Sequence, residues 1–99
     1  MTITKTLDGT ALTVAVDGRL DTLSSPQLEQ SLSKSLDGVT ELIFDLKKLV
    51  YISSAGLRVL LGAQKIMDDQ KGTLTVKNAG PRIMEIFDVT GFLDMMNIQ

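Results

Sequence analysis

Residues 41–67, ELIFDLKKLVYISSAGLRVLLGAQKIM, decide the fold. Leu42, Ile43, Phe44 and Leu46 form an almost unbroken apolar run, the pattern of a central strand covered on both faces of its sheet. From Ser54 the period changes. Val59, Leu60, Ala63, Ile66 and Met67 then share one arc of a helix, and Arg58, Lys65 and Asp69 occupy the opposite one. Residues 51–56 (Tyr-Ile-Ser-Ser-Ala-Gly) read as a short turn between the two. It delivers two hydroxyls to the point where a helix leaves its first backbone N–H groups unpaired. Any chemistry is expected there.

Upstream, Thr2–Thr6 is β-prone, and Asp8-Gly9 is a strong turn signal before the alternating Leu12, Val14 and Val16, so the chain is expected to open with a hairpin. Asp17-Gly18 stops the second strand. Arg19, Leu20, Asp21 and Thr22 lead to Ser24, Ser25 and Pro26, where Ser25 reads as a helix cap and Pro26 as a first-turn residue. Leu28, Leu32 and Leu36 repeat every fourth position, which predicts a surface helix packed on a sheet and ended by Asp37-Gly38. Downstream of the second helix, Leu74 and Val76 alternate with Thr73, Thr75 and Lys77 as a half-exposed strand. Asn78-Ala79-Gly80-Pro81 starts a third helix, with Ile83, Met84, Ile86 and Phe87 packing inward as far as Thr90-Gly91. The apolar tail Phe92, Leu93, Met95, Met96 and Ile98 is expected to fold back onto the core. The order β, β, α, β, α, β, α with a short terminal element predicts an α/β (α+β) fold, a mixed sheet flanked by helices, over one domain spanning residues 1–99.

Composition narrows the function. With 99 residues, 43% of them hydrophobic and 22% charged, the chain reads as an ordinary globular domain, expected to be a monomer. A net charge of −2 supplies no broad basic field, so direct nucleic-acid binding is not expected. No apolar run approaches the ~20 residues of a membrane span and the N-terminus lacks a signal-peptide core, so a cytoplasmic location is expected. Without Cys or His, the chain lacks thiol chemistry, Cys/His metal sites and the commonest general base. No catalytic residue, metal or cofactor is expected.

Ser53 and Ser54 therefore carry the candidate site. Either hydroxyl can be a helix cap and nothing more. A phosphate on a cap serine, however, adds roughly −1.5 to −2 charges at the positive end of the helix dipole, which the fold tolerates while the surface changes sharply. Ala55 and Gly56 read as small residues that let a kinase or partner approach. A nucleophilic serine is disfavoured, since no GxSxG elbow and no His is present. Asp21 reads equally as a turn residue bonding its own backbone or as a neighbour of Ser54 on one sheet edge. Leu57 and Leu61, one turn apart, read either as core or as the rim of a docking surface. Asp68 and Asp69 point about 100° apart on a helix and form no acid/base pair.

Phe44-Asp45-Leu46 followed by Tyr51-Ile52-Ser53-Ser54-Ala55-Gly56-Leu57 resembles the signature of STAS domains, the family of bacterial anti-sigma factor antagonists. The likeness extends to Gly18-Arg19-Leu20-Asp21 and to Thr90-Gly91-Phe92-Leu93. What the resemblance implies is a partner switch. The unphosphorylated antagonist binds an anti-sigma factor that is also a serine kinase and so releases a sigma factor; phosphorylation ends the contact, and a PP2C-type phosphatase restores it. The family's phosphorylated serine corresponds to Ser54, with Ser53 as runner-up, and its acidic residue after the second strand corresponds to Asp21. Ser53 stands where antagonists carry Asp, and Ala55 where they carry Ser or Thr. Asp21, Thr22, Ser53, Ser54, Gly56, Leu57, Arg58 and Leu61 are the expected partner-binding residues, since a switch residue must lie within the contact it controls. A different role is a stand-alone STAS subunit of a lipid-transport or stress-signalling complex.

Overall fold

The hairpin forms where Asp8-Gly9 places it. β1 (Thr2–Asp8) pairs antiparallel with β2 (Ala11–Leu20), from Thr2↔Asp17 to Asp8↔Ala11. Gly9 supplies the left-handed conformation of the turn, with φ +62°. The computed structural model describes residues 1–99. β2 serves two neighbours in succession. Ala11–Ala15 pair parallel with β3 (Glu41–Asp45), and Gly18–Leu20 pair parallel with β4 (Leu49–Ile52) across a register shift between Gly18 and Arg19. β5 (Thr73–Lys77) lies parallel to β3, and β6 (Asn97–Ile98) parallel to β5, so the sheet runs β1-β2-β3-β5-β6 with β4 held on β2.

Helix α1 (Ser25–Ser33) follows β2, α2 (Ser54–Asp69) follows β4, and α3 (Pro81–Thr90) and the single turn α4 (Phe92–Met95) follow β5. Their buried side chains, among them Leu28, Leu60, Met67 and Phe87, join one core of 24 residues with Val14, Phe44 and Val76 of the sheet. The tail folds back as expected: Phe92 stacks on Phe87 with ring centroids 5.9 Å apart, and Met96 is buried, while Leu93 and Met95 stay exposed.

Five details differ from the sequence reading. β2 does not stop at Asp17-Gly18 but runs through Gly18 to Leu20, because its end finds β4 as a partner. The central strand is covered on one face. Leu42 and Phe44 are fully buried, whereas Ile43 is half-buried on the other face between Thr13 and Thr75; an apolar residue chosen for β propensity between two threonines mimics a doubly buried run. β4 goes unread in the sequence, its Tyr51 and Ile52 being assigned to the turn, because four residues carry no legible period and their pairing is with the distant end of β2. Ile66 lies at the edge of the α2 arc and is 39% exposed. Ser25 is not the cap of α1 but its buried first residue, and Leu36 packs into the core from beyond the helix end.

The start of α2 sits against the ends of β2 and β4 at a glycine. A Cβ on Gly56 would lie 2.8 Å from side-chain atoms of both Ile52 and Leu20 and 2.9 Å from the Leu20 carbonyl oxygen. The small residue expected to admit a partner thus admits the protein's own backbone. Gly56→Ala should lower stability by about 1–3 kcal/mol through overpacking. Urea unfolding checks this: the midpoint falls at unchanged slope, and an unchanged midpoint refutes the close-contact account.

Candidate functional site

Ser53 is pinned from both sides. Its backbone N–H donates to the Leu20 carbonyl at 2.9 Å, and its own carbonyl accepts the first α2 bond from Leu57 N at 2.9 Å. The residue is extended, and its Oγ accepts from Gly56 N at 3.4 Å, the geometry of a helix cap. Ser54 is the first residue inside the helix and is exposed. The structure thereby separates two roles left open by the sequence: Ser53 is the cap, and Ser54 presents its hydroxyl to solvent beside the positive end of a sixteen-residue helix.

Leu20 and Ile52 are register partners on adjacent parallel strands, so Asp21 and Ser53 emerge side by side from one sheet edge. The Asp21 carboxylate nevertheless faces its own loop. Its Oδ1 accepts from Leu23 N at 3.1 Å and Ser24 N at 3.0 Å, while Ser24 Oγ accepts from Asp21 N at 2.9 Å and donates to the Arg19 carbonyl at 2.7 Å. Ser25 N closes the turn on the Asp21 carbonyl at 2.8 Å. This is a reciprocal capping box one turn ahead of α1, with Asp21 as the cap. The turn reading of Asp21 is the one realised, in a loop adjoining Ser53. The Ser24 N–H, helped by the Ser24 hydroxyl, the Leu23 N–H and the Arg19 guanidinium 3.8 Å away, holds the Asp21 pKa below the usual 3.8 against a smaller opposing effect of burial. Arg19 in turn lies over the Tyr51 ring, 4.4 Å from its centroid. At the neighbouring strand end, the Asn78 amide, 3.0 Å from Asp45 Oδ1, does the same for the Asp45 carboxyl, aided by Lys47 N.

Thr22 and Arg58 come together with Ala55 and Pro26 around an open groove of about 170 Å³ between the starts of α1 and α2. Gly56 is buried, and Leu57, 6% exposed, belongs to the core, which removes it from the expected docking rim. Leu61 is half-buried at the core's edge. One residue escaped the sequence reading. Leu23 is 91% exposed, its backbone N–H held within the capping box. The Asp-Thr-Leu-Ser spacing of a capping box was the available signal, obscured by the nearer Ser-Pro pair. No cluster of His, Cys, Asp or Glu fit to hold a metal is present, and no helix is long and apolar enough to cross a membrane.

Two predictions test this geometry. Ser53→Ala should cost about 0.5–1 kcal/mol as a lost cap, and Ser54→Ala should stay within about 0.5 kcal/mol, both read by urea unfolding. Equal losses would contradict the division of roles. Because folding lowers the Asp21 and Asp45 pKa values, their stabilisation is complete above the unfolded value near 3.8 and is lost as pH falls through the lower folded values. Asp21→Asn and Asp45→Asn should therefore flatten the acid limb of the stability profile, and an acid limb identical to the parent's would refute the assignment.

The model of the STAS domain family matches residues 2–99. BtrV of Bordetella bronchiseptica is 34% identical over 93 residues, covering 93% of this chain and 79% of its own. The anti-sigma-B factor antagonist of Bacillus subtilis is 33% identical over 85 residues, covering 86% of this chain and 78% of its own. Among solved structures, the Bacillus cell fate determinant SpoIIAA in its phosphorylated form superposes with a TM-score of 0.77 at 19% identity, covering 99% of this chain and 91% of that one. That likeness concerns the fold; the match along the whole sequence concerns descent. The chain belongs to the STAS domain family.

Proposed function

We propose that this chain is an anti-sigma factor antagonist, a binding protein without catalytic activity of its own. The observation that carries the reading is Ser54: an exposed hydroxyl in the first turn of α2, with the capping duty taken by Ser53. In the unphosphorylated state the surface formed by Ser54, Thr22, Leu23 and Arg58, bounded by Leu61, docks on an anti-sigma factor with serine kinase activity and so frees a sigma factor. Leu23 is the apolar anchor of that contact, held outward by the Asp21 capping box. Asp21 acts as a positioning residue, and Gly56 and Leu57 act from the core by seating the helix.

Transfer of a phosphoryl group to Ser54 puts roughly −1.5 to −2 charges in the middle of the contact. Inside the complex that charge loses the water that solvates it in the free protein. In the free protein it lies at the favourable end of the α2 dipole. The contact is weakened while the fold is spared, which is what a reversible switch needs, and a PP2C-type phosphatase resets it. Ser53 in the place of the family's Asp favours a second reading, a STAS subunit of a lipid-transport or stress-signalling complex that is not switched by phosphorylation.

Ser54→Asp should weaken binding to the anti-sigma factor by roughly 2–4 kcal/mol, on the order of 30-fold to 1000-fold, with the unfolding midpoint near the parent's. Ser54→Ala should bind and resist the kinase. Phosphopeptide mass spectrometry after incubation with kinase and ATP, paired with titration calorimetry of each variant, checks both. Phosphate on Ser53 alone, or undiminished binding by Ser54→Asp, overturns the assignment. Phosphate on neither serine favours the second reading.

A further inference from the structure

Gly62 lies in the middle of α2, where glycine destabilises a helix relative to alanine. Nothing inside the protein accounts for it. A Cβ built there meets no atom within 4 Å, in contrast to Gly56 on the same helix, and the residue is exposed. Gly62 borders a second groove between α1 and α2, of about 180 Å³, whose apolar wall is Leu32, Val59, Ala63 and the half-open Ile66. Glu29, Arg58 and Val59 line this groove and the one beside Thr22 and Ala55 alike, so the two adjoin along the α1–α2 face. The chain's one ion pair is Arg19–Asp21, which leaves Glu29 and Arg58 at the mouth as one anion and one cation without partners in this chain.

We propose that this groove receives an apolar side chain of the anti-sigma factor that covers Ser54, whose backbone passes over Gly62 where a Cβ would stand in its way. The inference rests on the function proposed above and extends its contact from the first turn of α2 to the third. The unpaired Glu29 and Arg58 suit a segment carrying polar groups of both signs around its apolar anchor. Gly62 is then retained for binding at a cost to the helix. Stability and affinity should respond to its replacement with opposite signs.

The experiment uses the full chain and each purified serine-kinase-type anti-sigma factor of the source organism, with parent, Gly62→Ala, Gly62→Leu and Ser54→Asp proteins. The thermal midpoint of Gly62→Ala should rise by about 2–6 °C as helix propensity improves. Its affinity should fall several-fold, and that of the folded Gly62→Leu by about 30-fold or more as the groove is filled. A lower midpoint for Gly62→Ala would show that the glycine serves the fold and would overturn the inference. If Ser54→Asp weakens binding but Gly62→Leu binds like the parent, the inference fails alone. If the parent binds no anti-sigma factor, the functional reading fails and the inference with it. A parent that sediments as a dimer, made monomeric by Gly62→Leu, would assign the groove to a second copy and refute the proposal.

Discussion

The structure depends on how closely the first turn of α2 can approach the paired ends of β2 and β4. Gly56 lies directly against the Leu20 carbonyl and side chain, and Ser53 N bonds the same carbonyl. Those contacts set the position of the helix start. From there Leu57, Leu60 and Met67 point into the core, and Ser54 and Arg58 point to solvent. Exposed function and buried packing alternate within a single turn. A change at Gly56 thus acts on the stability of the fold, whereas one at Ser54 alters what the surface offers.

The second rigid part of the surface is the capping box of Asp21 and Ser24. It pairs the Leu23 and Ser24 N–H groups of the turn ahead of α1, and it ties the loop back to β2 through the Arg19 carbonyl. The carboxylate is occupied inside its own loop, so Asp21 shapes the surface more than it charges it. A leucine exposed on a floppy loop would cost ordering entropy on binding. Here the hydrogen bonds hold Leu23 outward before any partner arrives.

Much of this was legible in the sequence because it is local. Asp8-Gly9 announced the hairpin, the switch from strand to helix periodicity located α2, and Thr90-Gly91 marked the end of the third helix before the returning tail. The site was legible to the level of a serine pair at a helix start, since caps depend on nearest neighbours. What the sequence hid is non-local. β4 exists because Leu49–Ile52 finds Gly18–Leu20 some thirty residues away. The bare outer face appears when Ile43 is seen between Thr13 and Thr75, and the role of Gly56 when Leu20 is seen beneath it. Which serine caps and which is free depends on one extended residue, a matter of backbone conformation that composition does not record.

In the proposed switch, phosphate on Ser54 is read at the surface, without a change in the fold beneath it. Amide hydrogen exchange, compared between the protein and its Ser54-phosphorylated form, tests this directly. Altered exchange should be confined to residues 19–26 and 51–62, with Val14, Phe44 and Val76 exchanging at the same rate in both. Faster exchange of those core amides on phosphorylation would contradict it.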